Sequence, residues 1–262
     1  MNMSSINLIY FSPTHTSKKI AQSIGNELGV QVINEFDITK ADFTSLESKR
    51  FDNELTLIAL PVYKGRLPKE AIARLRMCEA NKAPVILVVV YGNRDFDDAL
   101  LELKDLSIEL GFVPIAAAAF IGEHSYSSED KPIAHNRPDG KDMMKAKEFA
   151  NRIVEKIKSA DEKLVEVPGN YPYKEVPNAA VMAPRTISEN CSLCGICADV
   201  CPVKVIDIKE SVVTNAEECI WCCACVKSCP EDARIFDTPF IGQIKEMLFK
   251  HCSERKEPDL FL

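Results

Sequence analysis

The chain of 262 residues has no apolar run long enough to cross a membrane as a helix. Such a helix needs roughly 20 apolar residues, whereas the longest apolar stretches, residues 85–90 and 113–121, have the length of β-strands. The start of the chain also lacks the basic residues and the small-residue cleavage site of a secretion signal. These absences predict a protein without a membrane span that resides in the cytoplasm.

Basic charge and nucleotide-binding motifs are also missing. The chain carries 32 Lys and Arg against 39 Asp and Glu, a net charge of −7, whereas nucleic-acid-binding proteins usually cluster basic residues on one face. We therefore expect no nucleic acid partner. The patterns G-x-G-x-x-G and G-x-x-x-x-G-K-S/T do not occur, so the fingerprints of a Rossmann dinucleotide site and of a P-loop are absent.

Cysteine is nearly absent from the first 190 residues, which contain only Cys78, while nine of the eleven cysteines lie between Cys191 and Cys229. Disulfides at this density are typical of small secreted domains, and the sequence shows no secretion signal. The crowding therefore predicts metal ligands in a reducing compartment. We expect the isolated Cys78 and Cys252 to be ordinary thiols, buried at least in part.

The cysteine spacing occurs twice, 28 residues apart, and each run ends in Cys-Pro. The pattern C-x2-C-x2-C-x3-C-P is that of bacterial ferredoxins, in which the fourth cysteine of each run ligates the other of two clusters. The predicted ligand sets are Cys191, Cys194, Cys197 and Cys229 for one 4Fe-4S cluster, and Cys219, Cys222, Cys225 and Cys201 for the second.

Structural zinc is the alternative, but it usually takes two separated pairs of ligands, often with histidine. Here cysteine triplets recur and no histidine lies nearby, which favours clusters. Cys223 adds a ninth thiol that could replace Cys222 as a ligand, although the repeat favours Cys222. Residues 203–214 are predicted to form the hairpin between the runs, and residues 234–236 repeat part of it after the second run.

Residues 6–159 alternate short β-branched runs with longer amphipathic stretches, which is typical of a parallel sheet covered by helices. Strands are predicted at residues 6–11, 31–36, 55–60, 85–91 and 113–120. Helices are predicted at residues 17–28, 69–78, 95–110 and 141–159. This pattern predicts an α/β fold with a doubly wound, five-stranded parallel sheet.

The remaining segments complete the predicted domain plan. Residues 161–184 lose periodicity and contain four prolines, so they are expected to form a linker or a strap over the surface. The plan is residues 1–160 for the α/β domain, 161–184 for the linker, 185–240 for a small α+β ferredoxin domain and 241–262 for a helical tail. The tail is expected to pack on the protein through Phe240, Ile244, Met247, Leu248 and His251.

Doubly wound sheets bind ligands beyond the carboxyl ends of their strands. A hydroxyl-rich turn that enters a helix follows the first strand, with the sequence Ser12-Pro13-Thr14-His15-Thr16-Ser17. Free N–H groups and hydroxyls at the start of a helix suit a phosphate. The alternative is that one of these residues simply caps the helix. Residues 61–68 and 91–95 follow the third and fourth strands, and each segment offers an aromatic ring and a glycine that lets a ligand approach the backbone closely. These are features that a flat heteroaromatic ring needs.

The segment from Tyr10 to Ser17 resembles the FMN phosphate loop of flavodoxins. Over roughly residues 4–237 the chain resembles bacterial and archaeal fusion proteins in which a flavodoxin-like domain precedes a two-cluster, bacterial-type ferredoxin. The resemblance implies FMN, with phosphate contacts from Ser12, Thr14, His15, Thr16 and Ser17. It implies ring contacts from Pro61, Val62, Tyr63, Gly65, Arg66, Leu67, Tyr91, Gly92, Asn93 and Asp95.

The sequence departs from flavodoxins at His15, where they usually have glycine. Histidine tolerates positive φ better than most residues, so the loop either keeps its shape or binds FMN less well. The loop at residues 121–140 is long for a compact domain and carries His124, Tyr126, His135, Arg137 and Asp139. It is expected to cover the flavin, to admit a substrate or to pack on the ferredoxin module, unless it is a solvated excursion.

The leading functional prediction is an electron-transfer protein that relays single electrons between two 4Fe-4S clusters and a bound FMN. One alternative is a flavin-dependent reductase of an unidentified small molecule, fed by the clusters. Another is a ferredoxin whose flavodoxin-like domain holds no cofactor and serves for docking. The expected partner is a redox protein or a small-molecule electron acceptor, and no catalytic residue is assigned.

Overall fold

The computed structural model describes residues 4–40, 42, 49–159, 163–176 and 180–262. Parts of the predicted linker, residues 161, 162 and 177–179, therefore lie outside the described residues. The strands are β1 (Ser5–Tyr10), β2 (Val32–Asp37), β3 (Lys49–Asp52), β4 (Leu55–Pro61), β5 (Cys78–Asn81), β6 (Pro84–Tyr91), β7 (Val113–Ile121), β8 (Arg185–Thr186), β9 (Ile206–Ile208), β10 (Val212–Thr214), β11 (Arg234–Ile235) and β12 (Asp259–Phe261). The helices are α1 (Thr16–Glu27), α2 (Lys69–Leu75), α3 (Ala99–Glu109), α4 (Gly140–Lys158), α5 (Ile196–Asp199), α6 (Ala224–Lys227) and α7 (Pro239–His251).

The main sheet has the strand order β12-β7-β6-β4-β1-β2, and β2, β1, β4, β6 and β7 pair in parallel. Numbered among themselves, these five strands follow the order 2-1-3-4-5 of the flavodoxin-like doubly wound fold. β4 and β6 are buried along their whole length, as central parallel strands covered on both faces must be. The predicted five-stranded parallel sheet is confirmed.

The helices cover both faces of this sheet. On one face α1 and α4 bury Ile20, Ile24 and Phe149 in a core cluster with β1, β4, β6 and β7. On the other face α2 and α3 bury Leu75 and Leu103 in a second cluster. The carboxyl ends of the parallel strands and the loops that follow them therefore meet at one edge, where ligands of such sheets bind.

The structure differs from the predictions at several boundaries; the helix predicted for residues 95–110, for example, begins at Ala99. The helix predicted for residues 69–78 ends at Leu75, because Cys78 begins β5, which pairs in parallel with β3 and buries the Cys78 side chain completely. The tail predicted as helical ends its helix at His251, and β12 then adds a sixth, antiparallel strand beside β7. A strand of three residues is too short to show periodicity, so its pairing partner decides its conformation.

The buried face of α7 also differs in part from the predicted one. Ile241 and Leu248 are buried and Ile244 packs beside them, whereas Phe240 and Met247 are exposed. The buried face of α7 is therefore rotated by roughly one residue from the predicted face. The neighbouring loops that α7 covers decide which side of the helix is buried, and the helix sequence alone does not.

The described part of the predicted linker forms a strap along α3. The Asp98 carboxylate accepts hydrogen bonds from the backbone N–H groups of Asn170 (2.8 Å) and Lys174 (2.6 Å). The Tyr173 hydroxyl donates to Asp105 at 2.6 Å, and the Arg66 guanidinium stacks over the Tyr173 ring. The proline-rich segment therefore has fixed contacts on the α/β domain.

We expect Asp98→Ala to lower the free energy of unfolding by about 2 kcal/mol, because it removes the charged acceptor of two part-buried hydrogen bonds. Burial alone would raise the Asp98 pKa, but the hydrogen bonds from Lys174 and Asn170 leave it below the ordinary value. This contribution is therefore present above about pH 4 and is lost as the pH falls through the folded-state pKa. Thermal unfolding between pH 7 and pH 3 measures it.

Glu166 provides the control for this prediction, since it lies exposed on the same strap. Glu166→Ala should leave both the stability and its pH dependence unchanged. Equal losses in the two variants would show that the strap is held by something other than Asp98.

The cysteine-rich module has two short α-helices and two short strand pairings. The predicted hairpin is β9 with β10, where Asp207 pairs opposite Val213. β11, which follows the second cysteine run, pairs with β8, which precedes the first. Each run bends through a residue of positive φ, Gly195 (89°) in the first and Cys223 (59°) in the second, and then enters α5 or α6. The sequence repeat is thus a structural repeat.

The module packs on the α/β domain through the long loop after β7. Lys227 Nζ lies 2.7 Å from Glu123 Oε1 and also donates to the Ser127 carbonyl. The Tyr126 ring meets the Phe236 ring edge-on, with centroids 6.0 Å apart. Of the roles considered for this loop, packing against the ferredoxin module is the one observed. No helix in the described part of the chain combines the length and apolar character that crossing a bilayer requires.

Candidate cofactor sites

Two cavities of the module are lined by cysteines. One cavity, here named the outer cavity, is lined by Cys191, Cys194, Cys197 and Cys229. The other, named the inner cavity, is lined by Cys201, Cys219, Cys222 and Cys225, with Cys223 beside them. The structure therefore brings together each predicted ligand set, including the fourth cysteine that comes from the opposite run.

The thiols of each set surround their cavity and do not converge on one point. Among the described residues, no three His, Cys, Asp or Glu side chains form a group that could hold a single metal ion. A cubane cluster instead needs one thiolate at each of its four iron corners. The donor type, the number of thiols and their placement around a cavity fit a 4Fe-4S cluster at both positions.

Cys223 lines the inner cavity but occupies a different place in the repeat. It corresponds to Gly195 of the first run, and its thiol donates to the Trp221 carbonyl at 3.6 Å. Cys222 corresponds to Cys194, a member of the outer set. The structural repeat therefore keeps Cys222 as the fourth thiol of the inner set and leaves Cys223 as a neighbour.

Burial has a direct effect on the inner thiols. It raises the pKa of Cys222 and of Cys225 above the ordinary cysteine value. A thiolate is the form that binds iron, and bound metal removes the thiol proton outright. Assembly of a cluster in the inner cavity would therefore release protons, and its affinity would fall as the pH falls.

The hydroxyl-rich turn after β1 has the geometry of an anion cradle. His15 adopts φ 64° and its N–H donates to the Ser12 carbonyl, which closes the turn. The Ser12 hydroxyl accepts from the Lys18 N–H at 3.0 Å in the first turn of α1, while the His15 side chain caps nothing. The Ser17 hydroxyl is fully buried and has no hydrogen-bond partner among the described residues. A phosphate at this helix N-terminus would supply that partner.

Several residues predicted to touch a flavin ring make contacts within the α/β domain. The Tyr91 ring is buried in the core and packs on Phe96 with centroids 5.5 Å apart. Arg66 forms a bidentate ion pair with Glu102, whose carboxylate also accepts from the Leu67 N–H. These contacts fix the loop after β4 against α3.

The loop after β6 is held in a similar way. The Asn93 amide donates hydrogen bonds to the carbonyls of Cys252 and Glu254, and these bonds join the loop after β6 to the segment before β12. Asp95 is exposed and accepts from the Asp97 N–H. The Asn93 Oδ1 atom is buried without a partner among the described residues, so one acceptor in this loop is left for a further donor.

One of the predicted ring contacts, Tyr63, lies beside the ferredoxin module. Burial raises the pKa of Tyr63, with a further increase from the neighbouring Cys222 and Cys223 thiols. Gly92 lies directly under His124, since a Cβ atom at Gly92 would come within 2.3 Å of the imidazole Cδ2. The loop after β4 therefore meets the module at the inner cavity, whereas the loop after β6 packs under the loop after β7.

At this junction sequence reasoning missed one residue, Trp221, and named another, His124, only as a member of the long loop after β7. Trp221, the single tryptophan, carries the Lys64 ammonium 4.5 Å from its ring centroid and donates to the Met182 carbonyl. His124 accepts from the Tyr126 N–H through Nδ1, and burial lowers its pKa to about 4, so that it is neutral at pH 7. The single tryptophan inside a cysteine run was the available signal for Trp221, and the length of the loop was the signal that pointed to His124.

Comparisons with known proteins agree with this arrangement. Residues 184–207 match the family of 4Fe-4S binding domains. Among solved structures, a flavodoxin from Streptococcus pneumonia TIGR4 is 15% identical with a TM-score of 0.39, and the match covers 58% of this chain and 99% of that one. A Fusobacterium nucleatum flavodoxin bound to flavin mononucleotide is 15% identical with a TM-score of 0.39, covering 60% and 99%. No curated protein matches the chain.

The chain thus carries a 4Fe-4S binding domain behind an α/β domain. The strand order, and not these distant similarities, defines the flavodoxin-like fold of the first part. The expected organisation, a flavodoxin-like domain followed by a ferredoxin-type module, is confirmed.

Proposed function

We propose that the chain is a cytoplasmic electron-transfer protein that relays single electrons between two 4Fe-4S clusters and a bound FMN. Iron–sulfur clusters supply one-electron chemistry, and a flavin can take up one electron or two. The observation that carries the proposal is the position of the inner cavity. Its lining residue Ile220 packs against the core of the α/β domain, and its thiols lie beside Tyr63 at the ligand-binding edge of the sheet.

The two cysteine sets would hold one cluster each. Cys191, Cys194, Cys197 and Cys229 would hold the outer cluster, and Cys201, Cys219, Cys222 and Cys225 would hold the inner cluster. The proposed domains are residues 1–160 and 185–240, with the strap between them. The eleven free thiols, none of them in a disulfide in the structure, are the basis for placing the protein in a reducing compartment.

FMN would be held by its phosphate and by its ring. The turn Ser12, Thr14, His15, Thr16 and Ser17 would receive the phosphate, with the unpaired Ser17 hydroxyl as one donor. Tyr63 would border the ring, since it lies where the loop after β4 meets the inner cavity, and Gly92 would border it from the loop after β6, as the resemblance to flavodoxins implies. The remaining predicted residues of these loops would support the ring site through backbone atoms.

The outer cavity is the proposed point of exchange with a partner. Its lining residues all belong to the ferredoxin module, and Cys194 and Leu193 are exposed. Acidic residues outnumber basic ones nine to five in residues 185–237, and Arg185 and Lys227 are already paired with Asp237 and Glu123. A one-electron redox protein with a basic surface around its own cofactor fits this face.

A cofactor-free docking domain is the second candidate. It is favoured by the Tyr91 ring, which is buried in the core and unavailable for stacking, and by the Asn93 amide, which is bonded to the segment before β12. In that case the ferredoxin module alone would transfer electrons, and the α/β domain would bind a partner.

Quantification of iron, sulfide and flavin in one anaerobically purified sample distinguishes these candidates. About eight irons and about one FMN per chain are expected for the leading proposal, since each cluster contains four irons. Eight irons without flavin would favour the docking domain. Zinc in place of iron would overturn both.

A further inference from the structure

Arg234 is a buried cation between the two cysteine-lined cavities. It lies in β11, five residues after Cys229, and only 3% of its surface is exposed. It lines the outer cavity, while its Nη2 atom donates to Cys225 Sγ of the inner set at 3.8 Å. One buried arginine therefore borders the cavity of one predicted cluster and donates to a thiol of the other.

Among the residues that the structure describes, no carboxylate forms an ion pair with this guanidinium. Its other hydrogen bonds go to the hydroxyls of Thr186 (2.7 Å) and Thr214 (2.8 Å). Its Nε–H is buried without a partner among the described residues. An unpaired buried cation and an unsatisfied N–H both cost free energy, so the arrangement calls for a negative group that can accept hydrogen bonds.

The repeat shows that the fold itself does not need this cation. The residue 28 positions earlier is Ile206, which lines the inner cavity with an apolar side chain. The two halves otherwise share strand, turn and helix at matching positions. The guanidinium is therefore a specific addition to one half of a symmetric scaffold.

A cluster with four thiolate ligands carries net negative charge, and reduction by one electron makes that charge more negative. Hydrogen bonds to ligand sulfur and nearby positive charge stabilise the reduced form, which raises the reduction potential. The direct donor contact reaches Cys225, a member of the inner set. The effect should therefore be larger at the inner cluster than at the outer one.

We propose that Arg234 sets the relative potentials of the two clusters, raising that of the inner one, so that an electron entering at the outer face comes to rest beside the α/β domain. This inference rests on the proposed pair of clusters. Arg234 would act through the ligand sulfur, as a positioning and tuning residue.

The test is an anaerobic redox titration of the full-length holoprotein, followed by electron paramagnetic resonance of the reduced clusters. In Arg234→Gln the ratio of reduced to oxidised inner cluster at a fixed ambient potential should fall about tenfold. For a one-electron couple this corresponds to a reduction potential lower by about 59 mV. In Arg234→Lys this ratio should fall by less, because lysine keeps the positive charge of arginine but not its forked set of donors. A viologen donor supplies the electrons.

Arg185→Gln is the matched control, since it removes the same charge from the neighbouring strand. Arg185 is exposed, pairs with Asp237 and donates to no cysteine in the structure, so its replacement should leave the titration unchanged. Unshifted potentials in Arg234→Gln with full iron content would overturn the inference and leave the proposed function intact. A wild-type protein that binds no clusters would overturn both. If Arg234→Gln loses iron, Arg234→Lys becomes the deciding variant. An unshifted reduction potential of the inner cluster in Arg234→Lys would then overturn the inference.

Discussion

Cys201→Ser should reduce the iron content from about eight to about four atoms per chain, with the loss confined to the inner cluster. Cys201 belongs to the first cysteine run, but it lines the cavity formed by Cys219, Cys222 and Cys225 of the second. Serine cannot replace a thiolate at that corner with comparable affinity. Iron and sulfide analysis after anaerobic reconstitution measures the change.

Cys223→Ser provides the matched control, because Cys223 lines the same cavity but does not belong to the repeat. It should retain about eight irons. The emission of the single tryptophan identifies the lost cluster, since Trp221 adjoins Cys222. Emission should rise more in Cys201→Ser than in Cys229→Ser. Retained iron in Cys201→Ser together with halved iron in Cys223→Ser would reject the proposed ligand sets.

Ser17→Ala should weaken FMN binding by at least about tenfold, because a hydrogen bond to a charged phosphate contributes about 1.5–3 kcal/mol. The Ser17 hydroxyl is fully buried at the start of α1 and has no other partner among the described residues. Fluorescence titration of flavin-free protein with FMN measures the dissociation constant. Ser12→Asp should abolish binding, since it sets a carboxylate against the phosphate.

Ser107→Ala is the control for this prediction. Its hydroxyl is also fully buried and without a partner among the described residues, but it lies on α3. Its removal should leave the FMN dissociation constant unchanged. Equal weakening in Ser17→Ala and Ser107→Ala, or none in either, would mean that the phosphate does not bind at this turn.

Local patterns were sufficient for much of the fold. β4 and β6 are continuous apolar runs between turn residues, and their burial on both faces leaves few alternatives. The cysteine repeat defined the two predicted ligand sets, because cluster chemistry fixes both the number of thiols and their spacing. These features depend on short segments, which a sequence displays directly.

Features that depend on distant partners were not predictable. β12 forms because the edge of β7 is available, and the Tyr91 ring is buried because Phe96 and the core surround it. The Lys64–Trp221 contact and the position of Arg234 follow from how the module packs and folds on itself. Residue type alone does not show such contacts, since an exposed and a buried arginine look the same in a sequence.

The central claim is that electrons pass between the clusters and the flavin within one chain. Rapid anaerobic mixing of the holoprotein with less than one equivalent of reduced methyl viologen tests it most directly. We expect cluster absorbance to change first and flavin absorbance afterwards, at a rate independent of protein concentration and strongly reduced in Cys201→Ser. Flavin reduction at an unchanged rate in Cys201→Ser, or at a rate proportional to protein concentration, would contradict the account.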